Sequence, residues 1–188
     1  MSLHIGFIGA GKMGSAIARK IACSGKIIPK NIIVYDIDTQ KSKLLHEETD
    51  ITIESSIDGL IKKSDVIFLA VVPGVIKSVI EPYAQLFKNS SKILVSIAAG
   101  VPIKLFKQLI DNNVKIIRTM PNRPALIGEG MTLISYEKDI ITQEEINTVK
   151  FLFEAVGKVE LLDEKFMDEV VALTSSSPAY VFMLIEAM

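Results

Sequence analysis

The chain is predicted to be α/β, a doubly wound and mostly parallel sheet followed by the start of an all-α segment, and three observations carry that reading. Short apolar runs with strand character alternate with amphipathic runs of helical period along most of the 188 residues. Asp65–Val71 is apolar almost throughout, as a central parallel strand covered on both faces should be. A glycine block, Gly9-Ala10-Gly11-Lys12-Met13-Gly14, stands between the first strand run and the first helical run.

That block fits G-x-G-x-x-G, the fingerprint of a Rossmann-type dinucleotide-binding βαβ unit. Gly9 permits the tight turn out of the strand, Gly11 clears the approach of a pyrophosphate to the backbone, and Gly14 lets the helix pack close to the sheet. Free N–H groups around Ala10, Lys12 and Met13 then point at the phosphates. The competing reading, a glycine-rich strand–helix turn without a ligand, fits the flanking strand and helix less well. Asp36 follows about twenty positions on, where a carboxylate accepts hydrogen bonds from the adenosine ribose. It also repels the extra phosphate of NADP, so the expected cofactor is NADH or NADPH with NADH favoured. Asp36 could equally cap the next helix, and the two roles are compatible.

The elements follow in order. A helix over Lys12–Ser24 carries Met13, Ile17 and Ile21 on one face and stops at Gly25. Asn31–Tyr35 reads as the second strand, followed by a polar helix, a weak strand at Ile51–Ile53 and a short helix over Ser56–Lys63. After the Asp65–Val71 strand, Ile76, Ile80, Tyr83 and Phe87 mark helical stripes, with Pro82 starting a second segment. Ile93–Ile97 is a strand, Ala98-Ala99-Gly100 a small-residue turn, and Pro102 opens a helix to Ile110. Val114–Thr119 and Met131–Ser135 are strands. Thr142-Gln143-Glu144-Glu145 is a capping box for a helix that turns Ile146, Val149, Phe153 and Val156 inward. Lys158–Leu162 closes the sheet.

From Asp163 the alternation ends. Glu164–Leu173 reads as one helix, broken at Thr174–Pro178, and Ser177 with Pro178 starts another. That last helix is apolar almost all round and should be buried. The expectation is that the fold continues past Met188 or that a partner covers it. Residues 1–162 are therefore expected to form a dinucleotide-binding domain and residues 163–188 the beginning of a helical domain.

Bulk properties exclude several classes. With 21 Lys and Arg against 22 Asp and Glu there is no basic footprint for nucleic acid. No apolar run is long enough to cross a membrane, and no signal peptide precedes the first strand. The single cysteine, Cys23, cannot form an internal disulfide and is expected to be a small buried side chain, which points to the cytoplasm. His4 and His46 are isolated, a strand-end and a surface side chain, so no metal site is expected. The inventory favours redox chemistry that belongs to a cofactor.

Gly9–Gly14, Asp36, Ala70–Pro73, Ala98–Gly100 and Met120–Asn122 all fall at carboxyl ends of parallel strands, where ligands bind in open α/β sheets. In this order the motifs resemble pyrroline-5-carboxylate reductase. Ile8–Ala16 is similar to its N-terminal signature, Phe68–Pro73 to its A-V-K-P turn, and Ser96–Val101 matches closely. Met120–Ala125 with Gly128–Gly130 resembles M-P-N-T-P-A…G-E-G, and Asp163–Asp168 with Thr174–Tyr180 resembles D-E-x-L-M-D…S-G-S-G-P-A-Y. Val72 replaces a lysine of the pattern, Arg123 a threonine, Ser175 and Ser177 two glycines, and Val171 stands where threonine is usual.

The resemblance implies hydride transfer from NAD(P)H to pyrroline-5-carboxylate, giving proline, in a homodimer or higher homo-oligomer that interlocks through further helices. It implies cofactor contacts at Gly9, Ala10, Gly11, Lys12, Met13, Gly14, Asp36, Ser56, Ala70, Val71, Pro73, Ala98, Ala99, Gly100 and Asn122. It implies a substrate site at Glu164, Ser175, Ser176, Ser177, Ala179 and Tyr180. From the residues alone, the N–H groups of Ala179 and Tyr180 at a helix start could hold a carboxylate, or the segment could be an ordinary capped helix. Thr174, Ser176, water and residues after Met188 are the candidate proton donors. A related imine or 2-hydroxy-acid reductase, or a non-catalytic nucleotide-binding relative, would share most of these features.

Overall fold

The structure, a computed structural model, describes residues 3–88 and 90–188, the side chain of Ser175 excepted. Its elements are β1 (Ile5–Ile8), α1 (Lys12–Cys23), β2 (Ile32–Tyr35), α2 (Thr39–Thr49), β3 (Thr52–Ile53), α3 (Ile57–Lys63), β4 (Val66–Leu69), α4 (Ile76–Ile80), α5 (Ala84–Phe87), β5 (Ile93–Ser96), α6 (Ile103–Leu109), β6 (Ile116–Pro121), β7 (Gly130–Tyr136), α7 (Gln143–Phe153), β8 (Gly157–Leu161) and α8 (Ser177–Ala187). The eight strands lie in the order β3-β2-β1-β4-β5-β6-β7-β8. All neighbours are parallel except β6 and β7, which run antiparallel from Ile117 opposite Tyr136 to Pro121 opposite Thr132. The linker 122–129 is too short for a parallel crossover, which takes a dozen or more residues.

Side chains leave the central strands on both faces, and each face has its own core. On one, Ile17 and Ile21 of α1 and Val149 and Phe153 of α7 pack on Phe7 and Phe68. The Phe7 and Phe68 rings stack at 4.5 Å, and Phe153 meets Phe68 at 5.5 Å. On the other, Leu60, Ile80, Phe87 and Phe106 cover Ile8, Ile67 and Leu94. Each such buried side chain contributes roughly 1.5–3 kcal/mol. The predicted capping box forms in full: Thr142 Oγ1 accepts from the Glu145 N–H and a Glu145 carboxylate oxygen accepts from the Thr142 N–H.

Four expectations need correction. Cys23 is exposed: as the last residue of α1 it lies off the Ile17–Ile21 stripe. His46 is half-buried and holds the Ile51 carbonyl at 2.6 Å. The predicted helix over Glu164–Leu173 is a single 3₁₀ turn, Glu164–Phe166, followed by turns. That stretch is a strap crossing the face of β6 and β7, with Met167 buried against Met120 and Leu133. The predicted break before Pro178 is instead a π-helical stretch, Ala172–Ser176, running straight into α8. Ser176 and Ser177 have helical backbones, so Ser177 is not an N-cap. The hydroxyls that would have capped a new helix bond backwards within the old one, Thr174 to the Val170 carbonyl at 3.2 Å and Ser177 to that of Leu173. The wider π turn accommodates Pro178, which lacks an N–H. The helix α8 lies on the surface, with Tyr180 through Ile185 between 51 % and 70 % exposed.

Candidate dinucleotide and substrate site

The parallel register lines up the carboxyl ends of the central strands. Ile8 pairs with both Tyr35 and Leu69, and Leu69 with Ser96. The residues that follow therefore share one edge: Gly9, Asp36, Ala70, Ile97–Gly100 and the end of β6. Chain order reverses between β1 and β4, and a crevice opens at such a switch point.

At that crevice each glycine of the block has a different neighbourhood. Gly9 turns with φ +104°, and a Cβ there would sit 2.5 Å from the Ala70 carbonyl oxygen. A Cβ on Gly14 would meet the Gly9 carbonyl at 2.6 Å and the Ala70 methyl at 2.7 Å, so only glycine lets α1 lie this close to β1 and β4. A Cβ on Gly11 would meet nothing within 4 Å: the space in front of it is open. Gly11 is also the N-cap of α1, without a side-chain cap and with no acidic residue in the first turn. The N–H groups opening this helix thus face an uncapped, positive end suited to an anion. These residues fit a pyrophosphate.

Asp36 closes the far side of the cradle. One carboxylate oxygen accepts from the Ala10 N–H at 2.6 Å, so that N–H is not free for a phosphate as expected, and the other accepts from the Asp38 N–H at 2.8 Å. It does not cap α2; Asp38 does, accepting from the Gln40 N–H. Ile37 beside it is 91 % exposed. Ala70 and Val71 are half-buried against the glycine turn, and Pro73 opens a 3₁₀ turn with Val72 exposed beside it. Ala98 is buried, its N–H donating to Ser96 Oγ, while Ala99 and Gly100 are exposed. Ser56 stands apart in role: its hydroxyl caps α3 by accepting from the Gly59 N–H at 3.1 Å.

The substrate half is arranged differently from expectation. Glu164 is engaged by the chain itself through one oxygen. Its Oε1 accepts from the Ile103 N–H at 2.7 Å and from Arg118 at 3.4 Å. With Ser177 helical, Ala179 and Tyr180 lie within a continuing helix rather than at its start, though both are exposed. Ser176 is exposed and Thr174 half-buried; the Ser175 side chain lies outside the described residues. Asn122 brings this segment to the cofactor edge, since its Nδ2 donates to the Thr174 carbonyl at 3.1 Å.

Arg118 is the residue the sequence reading missed. It is 3 % exposed in the middle of β6 and pairs with Glu164 and, at 2.5 Å, with Asp168. The signal was present: one arginine inside an apolar strand needs buried or covering carboxylates, and Asp163–Asp168 holds three.

Among the described residues no cluster of three His, Cys, Asp or Glu side chains could hold a metal ion, and no helix is long and apolar enough to cross a membrane. A cavity of about 860 Å³ opens between Ile103, Tyr136 and Leu161–Glu164 and shares no residue with the glycine turn. By register it sits toward the opposite end of the sheet, because Tyr136 pairs with Ile117 at the start of β6.

Comparison with known proteins bears on the same edge. Residues 4–100 match the family model described as NADP oxidoreductase, coenzyme F420-dependent. The whole chain is 38 % identical to the pyrroline-5-carboxylate reductase of Escherichia coli and spans 69 % of that protein. Two solved structures are similar. A pyrroline-5-carboxylate reductase from Coxiella burnetii superposes with a TM-score of 0.95 at 27 % identity, over all of this chain and 69 % of that one. The pyrroline carboxylate reductase of Plasmodium falciparum, described with NADP bound, gives a TM-score of 0.86 at 31 % identity, over 98 % of this chain and 67 % of that one.

Proposed function

The chain belongs to the pyrroline-5-carboxylate reductase family, and on that premise we propose that it reduces the C=N bond of 1-pyrroline-5-carboxylate to give L-proline. The observation that carries the proposal is the open cradle before Gly11, on the edge shared with Ala70 and Ala98. A bound dihydronicotinamide supplies the hydride that adds to the imine carbon. The rest falls to the chain. The backbone N–H groups from Gly11 through the first turn of α1 hold the pyrophosphate, those of Gly9 and Ala10 being bonded to Tyr35 and Asp36, and Asp36 takes the ribose hydroxyls. As the C=N electron pair settles on nitrogen, a proton must arrive there. The hydroxyls of Thr174 and Ser176, and water, are the donors proposed. Thr174, Ser176, Ala179 and Tyr180 are assigned to the substrate because they lie on the segment tied to the cofactor edge. Much of the rate should come from holding the imine carbon against the nicotinamide.

Three finer readings belong to the same proposal. Residues 1–162 form the dinucleotide-binding domain, and 163–188 belong to a helical domain that serves the substrate and the dimer. The apolar helix α8 packs on a second copy across a two-fold axis, since contiguous apolar patches above a few hundred Å² are seldom left bare. The enzyme acts in the cytoplasm, in keeping with its single exposed cysteine.

NADH is the proposed cofactor. A carboxylate tethered at Asp36 would face the 2′-phosphate of NADPH, and the expected preference is about tenfold, or ~1.4 kcal/mol. Side-by-side dissociation constants test this, and tighter binding of NADPH would refute it. The activity itself is tested by NADH consumption with pyrroline-5-carboxylate, other cyclic imines and 2-oxo acids. Pyrroline-5-carboxylate should be turned over fastest. Consumption with another substrate alone would assign Arg123, Ser175 and Ser177 to a changed specificity.

A further inference from the structure

We propose that Glu164 is a positioning residue for the cofactor: its carboxylate staples the Ala98–Val101 turn, at the cofactor edge, to the strap that leads into α8. Helix α6 begins at Ile103, and the first N–H groups of a helix have no partner within it. Pro102, just before, carries no side-chain acceptor. The acceptor comes from 61 residues further along the chain, where Glu164 Oε1 takes the Ile103 N–H at 2.7 Å. The same oxygen accepts from Arg118 at 3.4 Å, and Arg118 is itself buried in β6 and paired with Asp168. A carboxylate aimed at a helix N-terminus is a stronger acceptor than a neutral group.

The turn is thereby held at both ends. At its front, the Ile97 N–H donates to the Leu69 carbonyl at 3.3 Å and the Ala98 N–H to Ser96 Oγ at 3.3 Å. Thr119 Oγ1 donates to the Ser96 carbonyl at 3.0 Å. At its rear stands Glu164. Between the two anchors Ala99 and Gly100 are exposed, and Gly100 turns with φ +72°. A dinucleotide on this edge meets a turn whose exposed middle is set by its ends. The importance of the staple for NADH rests on the cofactor reading proposed above. The staple itself rests on the hydrogen-bond geometry.

Three variants separate the bond from general loosening of the strap. Alanine at 164 removes the acceptor. Glutamine keeps an oxygen of the same reach, able to accept from both Ile103 and Arg118. Asp168→Ala removes the other carboxylate on Arg118 and leaves the Ile103 bond in place.

The test is hydrogen exchange at the Ile103 amide together with NADH affinity by fluorescence titration, in the wild type, Glu164→Ala, Glu164→Gln and Asp168→Ala. In Glu164→Ala, exchange at Ile103 should quicken about tenfold. NADH should bind about fivefold more weakly, because a loosened turn must be ordered on binding. Glu164→Gln should bring both to within about threefold of the wild type, and Asp168→Ala should leave both within about twofold. Unchanged exchange at Ile103 in Glu164→Ala would overturn the staple. Quickened exchange with unchanged NADH affinity would reduce Glu164 to a structural role and overturn the positioning. So would a glutamine variant as weak as alanine, or an equal loss of NADH affinity in Asp168→Ala. A wild type that binds no NADH would refute the cofactor reading, while the exchange comparison would still decide the staple, so the two failures can be told apart.

Discussion

Residues 5–161 and the segment from Asp163 onward are built by different rules. In the sheet, Ile17, Ile21, Phe68 and Phe106 are each completely buried within the chain. Beyond Asp163, attachment is local: the Arg118 clasp, Met167 on Met120 and Leu133, and Asn122 on Thr174. The helices α1 and α8 are both rich in apolar residues, yet α1 is buried along one stripe and α8 is exposed on every side. What tells a helix where to pack is the pattern of its apolar residues rather than their number.

The largest effect expected from breaking this contrast lies at the sheet's tightest contact. Gly157 has φ +139°, and a Cβ there would overlap the Gly130 backbone. Gly157→Ala should cost about 3 kcal/mol or more, read as a lower denaturant midpoint; an unchanged midpoint would mean that β7 and β8 can separate cheaply.

A smaller, asymmetric effect is expected at the strap. Replacing both carboxylates, Glu164→Gln with Asp168→Asn, strands a buried guanidinium and should cost about 2–3 kcal/mol. Arg118→Met should cost less than about 1 kcal/mol, because it leaves two partly exposed carboxylates that water can serve. Equal costs in chemical denaturation would show that the clasp works as a pair rather than as cover for a buried charge.

This contrast also separates what was legible in the sequence from what was not. The glycine turn, the strands and the Thr142 capping box could be read because each depends on residues close in sequence or on a strict period. The antiparallel β7 was decided by the length of the 122–129 linker. The strap and π turn could not be read, because local propensity there lost to distant partners. Arg118 needs Glu164 and Asp168, and Asn122 reaches the π turn through the Thr174 carbonyl. Serines and a proline usually announce a helix start; here the hydroxyls bond backwards and the helix continues. For the site, the open turn at Gly9–Gly14 was legible from the glycine spacing, while the bond from the Ala10 N–H to Asp36 was not. The bond that Glu164 makes to Arg118 was not legible, because nothing nearby in sequence reveals that partner.

The smallest effect on stability belongs to α8. Phe182→Glu with Ile185→Glu should change folding stability by no more than about 0.5 kcal/mol per site, since both side chains are exposed. If α8 joins two copies, the same pair of changes should convert a sedimenting dimer into a monomer. A wild type that is already monomeric at all concentrations would remove the dimer from the proposal.

The central claim is that the edge at Gly11 is a dinucleotide cradle, and fluorescence titration with NADH tests it most directly. The wild type should bind saturably. Gly11→Val places a side chain in space that is open in the fold, so it should abolish binding while lowering stability by no more than a helix-cap change, about 1 kcal/mol. Equal NADH affinity in a folded Gly11→Val variant would contradict the account.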